Sequence, residues 1–113
     1  MKADALRGHL DAMILSTVEA GPLHGYAIIE ALAVRSGGAL DLPTGTVYPA
    51  LRRLESAGYL SSAWSDDTGR RRRTYRLSRS GAKALTAKRG EWESFAEVVT
   101  SVLRPAAGSG GHP

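Results

Sequence analysis

Four consecutive arginines, Arg70-Arg71-Arg72-Arg73, follow directly on Gly69. They open a stretch from Arg70 to Arg89 that holds nine basic residues and no acidic one. Such a run repels itself unless a polyanion or solvent screens it. The chain as a whole favours arginine, with 12 Arg to 3 Lys. A guanidinium is a planar fork of donors that fits phosphate oxygens and guanine edges. Glycine and arginine at a turn tip suit a loop that lies along a phosphate backbone or sets an arginine into a narrow minor groove. A solvated charge run is the plainer alternative, but four adjacent arginines exceed what solubility asks. Strand alternation turns neighbours to opposite sides, so Arg70 and Arg71, nearest the turn, are stronger candidates than Arg72.

The second constellation is Pro43-Thr-Gly-Thr-Val-Tyr-Pro-Ala-Leu-Arg-Arg53. On a helix entering a major groove, the N-terminal residues meet base edges. Thr44 and Thr46 supply short hydroxyls for phosphates or bases, and their methyls can meet a thymine methyl. Tyr48 adds a donor on a stiff ring, or packs. Arg52 and Arg53 lie further along and suit backbone phosphates; for Arg53, an ion pair with Glu55 or Asp41 is the alternative. Val47, Leu51 and Leu54, at i, i+4 and i+7, are core.

The elements that must position these groups follow from periodicity. Leu6, Leu10, Met13, Ile14, Thr17 and Val18 form one face of a first helix, stopped by Gly21-Pro22. A short second helix starts near Leu23 and fades at Ser36-Gly37-Gly38. Pro43 suits a helix start, with Thr44 as a capping hydroxyl, and Pro49 is expected in about the first turn. The third helix ends at Ala57-Gly58. Tyr59 to Ser65 and Arg73 to Leu77 are strands joined by an Asp66–Gly69 turn, with Leu60 and Trp64 on one face. Ser78 is the expected N-cap of a long last helix. Three helices and then a two-stranded wing is the winged helix-turn-helix arrangement.

The fold class expected is therefore α+β, mainly α: a winged helix-turn-helix with a long C-terminal dimerisation helix. Residues 1–77 make the winged unit, 78–104 the dimerisation helix and 105–113 a Gly-rich disordered tail. In the last helix Leu85, Trp92, Ala96, Val99 and Leu103 recur at nearly heptad spacing, broadened by Phe95. A 113-residue chain has a modest core. That stripe, with Leu6, Leu10 and Met13 of the first helix, is the expected interface of a homodimer, and two-fold symmetry suits a DNA reader. Trp92 is also a candidate contact for a small aromatic or hydrophobic effector.

Other chemistry has little support. There is no cysteine, so disulfides and thiolate metal sites are excluded. His9, His24 and His112 lack metal-ligand spacing, and His24 suits a hydrogen-bonded structural role. No nucleophile elbow, P-loop or dinucleotide-binding glycine pattern occurs, so neither an enzyme nor a cofactor is expected. Nothing approaches the roughly 20 apolar residues of a membrane span. Met1 to Leu10 does not resemble a secretory leader, and a cytoplasmic protein is expected.

Four segments carry a resemblance: Pro22-Leu-His-Gly-Tyr-Ala-Ile28, Gly45-Thr-Val-Tyr-Pro-Ala-Leu-Arg-Arg-Leu-Glu55, Gly58-Tyr-Leu60 and Tyr75-Arg-Leu-Ser78. They look like the PadR family of bacterial transcriptional regulators, and the single last helix resembles its smaller subfamily. The resemblance spans about Leu6 to Leu103. It implies a sequence-specific repressor that binds an inverted-repeat operator in double-stranded DNA as a homodimer. It also implies a dimer joined by the first and last helices and released by a small molecule or another signal. In some similar small members a tryptophan placed like Trp92, in Glu91-Trp-Glu-Ser-Phe95, lines a drug-binding pore. The wing departs from the family: it has four arginines where many members have Gly-Arg-Pro-Arg-Lys. A protein-binding winged helix without DNA affinity, or a sensor centred on Trp92, are the competing readings.

Overall fold

The computed structural model describes residues 6, 8–66 and 69–106. Its elements run α1 (Leu10–Thr17), β1 (Leu23–His24), α2 (Gly25–Arg35), α3 (Thr44–Ser56), β2 (Leu60–Ser65), β3 (Arg72–Leu77) and α4 (Arg79–Leu103). The fold is mainly helical α+β, with a small antiparallel sheet in the order β1-β3-β2.

The core forms where the helical faces converge on the sheet. Ile14, Leu15 and Val18 come from α1 and the turn after it, and Ile28 and Leu32 from α2. Val47, Ala50, Leu51 and Leu54 form the inner face of α3. Leu60, Tyr75 and Leu85 close the core from the sheet and the start of α4. Leu40 and Leu42 of the α2–α3 connector are also buried, so that segment is pinned.

Several boundaries differ from the periodicity. The first helix does not run unbroken from Leu6: Gly8 sits at φ 83° and the helix starts at Leu10. The apolar spacing survives a turn because Leu6 still reaches the core. Leu23–His24 is not the start of a helix but a strand, registered Leu23↔Tyr75 and His24↔Thr74 on β3. Two residues hold too little pattern to betray a strand. The N-cap of α3 is Pro43, at φ −76° and ψ 159°, rather than Thr44, which is already helical. Pro49 then falls in the second turn, where it has no N–H for the Gly45 carbonyl. Trp64 does not join Leu60 in the core. Leu60 is 2% exposed and Trp64 54%, because the hairpin continues beyond the edge of the helices. Asp67 and Thr68 of the turn lie outside the described residues, as does the tail from 107 onward.

The corner between α3 and the sheet is closed tightly. Gly58, at φ 83°, ends α3 in a Schellman arrangement: Tyr59 N–H donates to Leu54 O and Gly58 N–H to Glu55 O, both at 3.0 Å. Ser78 caps α4 as expected, accepting from Gly81 N–H at 3.0 Å. Its hydroxyl also donates to the Gly58 carbonyl at 2.5 Å, and Ser80 Oγ donates to the same carbonyl at 2.8 Å. Ser78→Ala removes the cap and one of these donors together. We expect a loss of about 1–2 kcal/mol, measured as a melting temperature several degrees lower by circular dichroism.

Candidate nucleic-acid interface

Burying Val47, Ala50, Leu51 and Leu54 turns the opposite side of α3 outward: Gly45, Pro49, Arg52 and Ser56 are exposed. The flanks of this crest hold different groups. On one flank Tyr48 and Arg52 line a groove of about 920 Å³ between α3, the start of α2 and the wing. Its other walls are His24, Tyr26, Trp64 and all four arginines Arg70 to Arg73. On the other flank Thr46 and Arg53 line a smaller recess with Leu6, Asp11 and Lys88. The structure therefore brings Tyr48 and Arg52 together with Arg70, Arg71 and Arg72, and sets Thr46 and Arg53 apart from them. Thr44 is exposed at the first position of the helix.

Tyr48 both packs and lines the groove. Its ring lies on Gly25, where an added Cβ would come within 2.7 Å of Tyr48 Cζ and closer still to the hydroxyl. It also meets Tyr26 edge-on, with centroids 6.3 Å apart at 80°. Burial pushes its phenol above the ordinary tyrosine range, with Tyr26 and Tyr75 adding to the shift. The hydroxyl consequently stays protonated at neutral pH and remains a donor.

The arginines divide by partner. Arg53 pairs with Asp11 of α1 at 2.5 Å, not with Glu55 or Asp41. Glu55 instead accepts from Ser62 Oγ at 2.5 Å and from Arg73 at 3.4 Å. Arg71 and Arg73 lie over the Trp64 ring, 5.1 and 5.5 Å from its centroid. Trp64 is thus a shelf for two guanidiniums, a role that alternation could have suggested through its register with Arg73. Arg72 turns the other way and meets His24 Nε2 at 2.8 Å. Among the described residues no carboxylate pairs with Arg52, Arg70, Arg71 or Arg72. Glu55 also lines the groove and is taken by Arg73, so among the described residues Arg52, Arg70, Arg71 and Arg72 are left without an acid of their own.

The expected interface residues also divide. Leu6 and Leu85 are covered within the protomer's own core, which leaves them little surface for a partner. The reason is that α1 packs on α4, and Leu6, just before α1, and Leu85 of α4 both join the core cluster there. Leu10 and Met13 are half-buried against that core. Beyond it α4 is exposed: Trp92, Phe95 and Leu103 at 52, 58 and 75%, joined by Val98 and Val102, with Ala96 and Val99 half-covered. Trp92 meets His9 edge-on at 5.3 Å and Phe95 at 6.1 Å. The three rings border a recess of about 660 Å³ between α1 and α4. The described residues contain no cluster of three potential metal ligands, and no helix among them is long and apolar enough to cross a membrane.

A helical core that presents one helix beside a basic two-stranded wing defines a winged helix of the regulatory type. The model of the transcriptional regulator PadR-like family matches residues 14–87, and the chain belongs to that family. A transcriptional regulator from Clostridium thermocellum superposes with a TM-score of 0.82 at 31% identity, covering 90% of this chain and 100% of that one. A PadR family regulator from Clostridium difficile gives 0.74 at 35% identity, covering 85% and 99%. Among curated proteins, the transcriptional regulator Rv3488 of Mycobacterium tuberculosis is 42% identical over 66 residues, which is 58% of this chain and 62% of the relative.

The Tyr48–Gly25 contact yields a test. Gly25→Ala forces the ring off its seat, and we expect a loss of about 1–3 kcal/mol. In a Tyr48→Ala background the same change should cost little, because the clashing ring is gone. Denaturant melts of the four proteins measure the coupling.

Proposed function

We propose that this regulator binds double-stranded DNA as a homodimer and represses transcription from an inverted-repeat operator. In this reading residues 1–77 hold DNA and residues 78–104 hold the partner. The observation that carries it is the groove in which Tyr48, Arg52 and Arg70 to Arg72 converge, with no carboxylate among the described residues paired to these three wing arginines or to Arg52. The exposed crest of α3 enters a major groove, with Thr44 at its tip and Thr46 on its far flank, while the wing lies along the backbone. Arg53, tied to Asp11, reaches a phosphate only by giving up that pair. The names of the relatives above agree with a regulatory role. A cytoplasmic location belongs to the same proposal, since a bacterial regulator meets its DNA there.

The exposed stripe of α4 supports the homodimer, since Trp92, Phe95, Val98, Val102 and Leu103 are more apolar surface than one helix usually leaves to water. The recess beside Trp92 supports a second role for the same interface, as the seat of a flat aromatic or hydrophobic effector.

A gel shift on the DNA upstream of the protein's own gene tests the first reading. Binding should weaken steeply with salt, at about −0.9 in log–log slope for each phosphate neutralised. Binding that ignores salt, or none at all, rejects the proposal. Replacing both Arg70 and Arg71 by Ala should weaken binding on every sequence alike and cut the slope by about two. Phe95→Glu puts a charge into the apolar stripe. Sedimentation should show wild-type dimers and mutant monomers at the same concentration; an unchanged dimer would move the interface elsewhere.

A further inference from the structure

We propose that His24 and Arg72 together clamp one phosphate of the DNA backbone at the junction of α2 and the wing. The proposal rests on the DNA-binding reading above and adds to it His24, to which the sequence assigned only a structural role.

The argument starts from a conflict of hydrogen-bond roles. His24 caps α2: its Nδ1 accepts from Ala27 N–H at 3.3 Å. Its other ring nitrogen, Nε2, lies 2.8 Å from Arg72 Nη1. A guanidinium only donates, and a neutral imidazole has a single acceptor nitrogen. Both contacts therefore ask the ring to accept, and it can do so once. The cap sits at the start of a helix whose first N–H groups need acceptors, so Nδ1 keeps its lone pair. The ring proton then lies on Nε2. Nε2–H and an Arg72 N–H are then two donors on nitrogens 2.8 Å apart, and neither can accept from the other.

A phosphate oxygen supplies that acceptor. It carries the negative charge the guanidinium lacks, and it has lone pairs for both donors. The pair lines the same groove as Tyr48, Arg52, Arg70 and Arg71, so the anion that fits is one phosphate of a chain that continues past the others. The two donors come from different elements, but the β1–β3 ladder fixes their separation: His24 pairs with Thr74, two residues along the strand from Arg72. Both are half-buried, which strengthens the contact relative to open solvent. The clamp reads no base. It fixes where the strand runs, and so how α3 meets the major groove.

The test compares wild type, His24→Asn, Arg72→Gln and the double variant on the same upstream DNA. It is run at about pH 8, above the ordinary imidazole range. Asparagine is a good N-cap, so His24→Asn retains an acceptor for Ala27, while its shorter side chain sets its own amide donor back from where Nε2–H reaches. Its melting temperature should match wild type, while its affinity falls about tenfold on operator and scrambled DNA alike. Arg72→Gln should lower the salt slope by about one, and His24→Asn should leave it unchanged. In the Arg72→Gln background the histidine change should cost little, since both residues serve one phosphate. Wild-type affinity in His24→Asn, or fully additive losses, overturns the clamp while leaving DNA binding intact. Failure of wild type itself to bind rejects the broader reading instead. Imidazole 15N shifts of free wild-type protein give an answer that needs no variant: the Nε2–H form is expected, and the Nδ1–H form overturns the proposal.

Discussion

Two residues of backbone pairing set the geometry on which the rest depends. Leu23 and His24 lie alongside Thr74 and Tyr75, and α2 begins immediately afterwards. That ladder fixes the start of α2 to the inner strand of the wing. Because Gly25 comes next, Tyr48 of α3 can settle on bare backbone there. Three elements distant in sequence thereby share one wall, and the arginines of β3 arrive beside the exposed flank of α3. Without the pairing, the wing would be a free hairpin, and isolated two-stranded hairpins are marginal in water.

Much of this architecture was legible in the residues. The inner face of α3, the hairpin and the Ser78 cap each carry a local signature: a helical period, alternation broken by turn residues, a hydroxyl before a helix. The missing parts are those whose cause is tertiary. Strand β1 is two residues long and exists because β3 offers it an edge. Trp64 follows strand alternation, but only the edge of the helices decides that the ring falls outside the core. Arg53 looks like its neighbour Arg52 in sequence, and the position of Asp11 on another helix separates the two. Leu6 and Leu85 fit an apolar stripe, yet the question of which leucines a protomer covers by itself is answered by packing between helices, not by period.

Charge in the wing region is arranged rather than merely abundant. Arg73 is balanced by Glu55, and Arg53 by Asp11, both at the surface where such pairs contribute at most about 1 kcal/mol. Arg89, at the far side, pairs with Glu19 at 3.1 Å, and its hydrogen bond and charge hold that carboxyl below its usual range. These three pairs fasten helices to one another or to the hairpin. In the groove Arg71 lies over Trp64 and Arg72 is held against His24, beside Arg52 and Arg70. An apolar ring beneath a guanidinium limits its rotamers without neutralising it, so part of the entropy lost on meeting an anion is lost already on folding.

The corner at Gly58 has a mechanical consequence. Its carbonyl takes hydroxyls from Ser78 and Ser80, while Ser78 N–H reaches Tyr59 O at 3.1 Å. The last turn of α3 and the first turn of α4 are therefore bolted to the same peptide units, although more than twenty residues of hairpin separate them in the chain. No slack segment lies between them to absorb a tilt. A rotation imposed on the free half of the 25-residue α4 must swing the outward crest of α3 with it, as the long arm of a crank turns its short one.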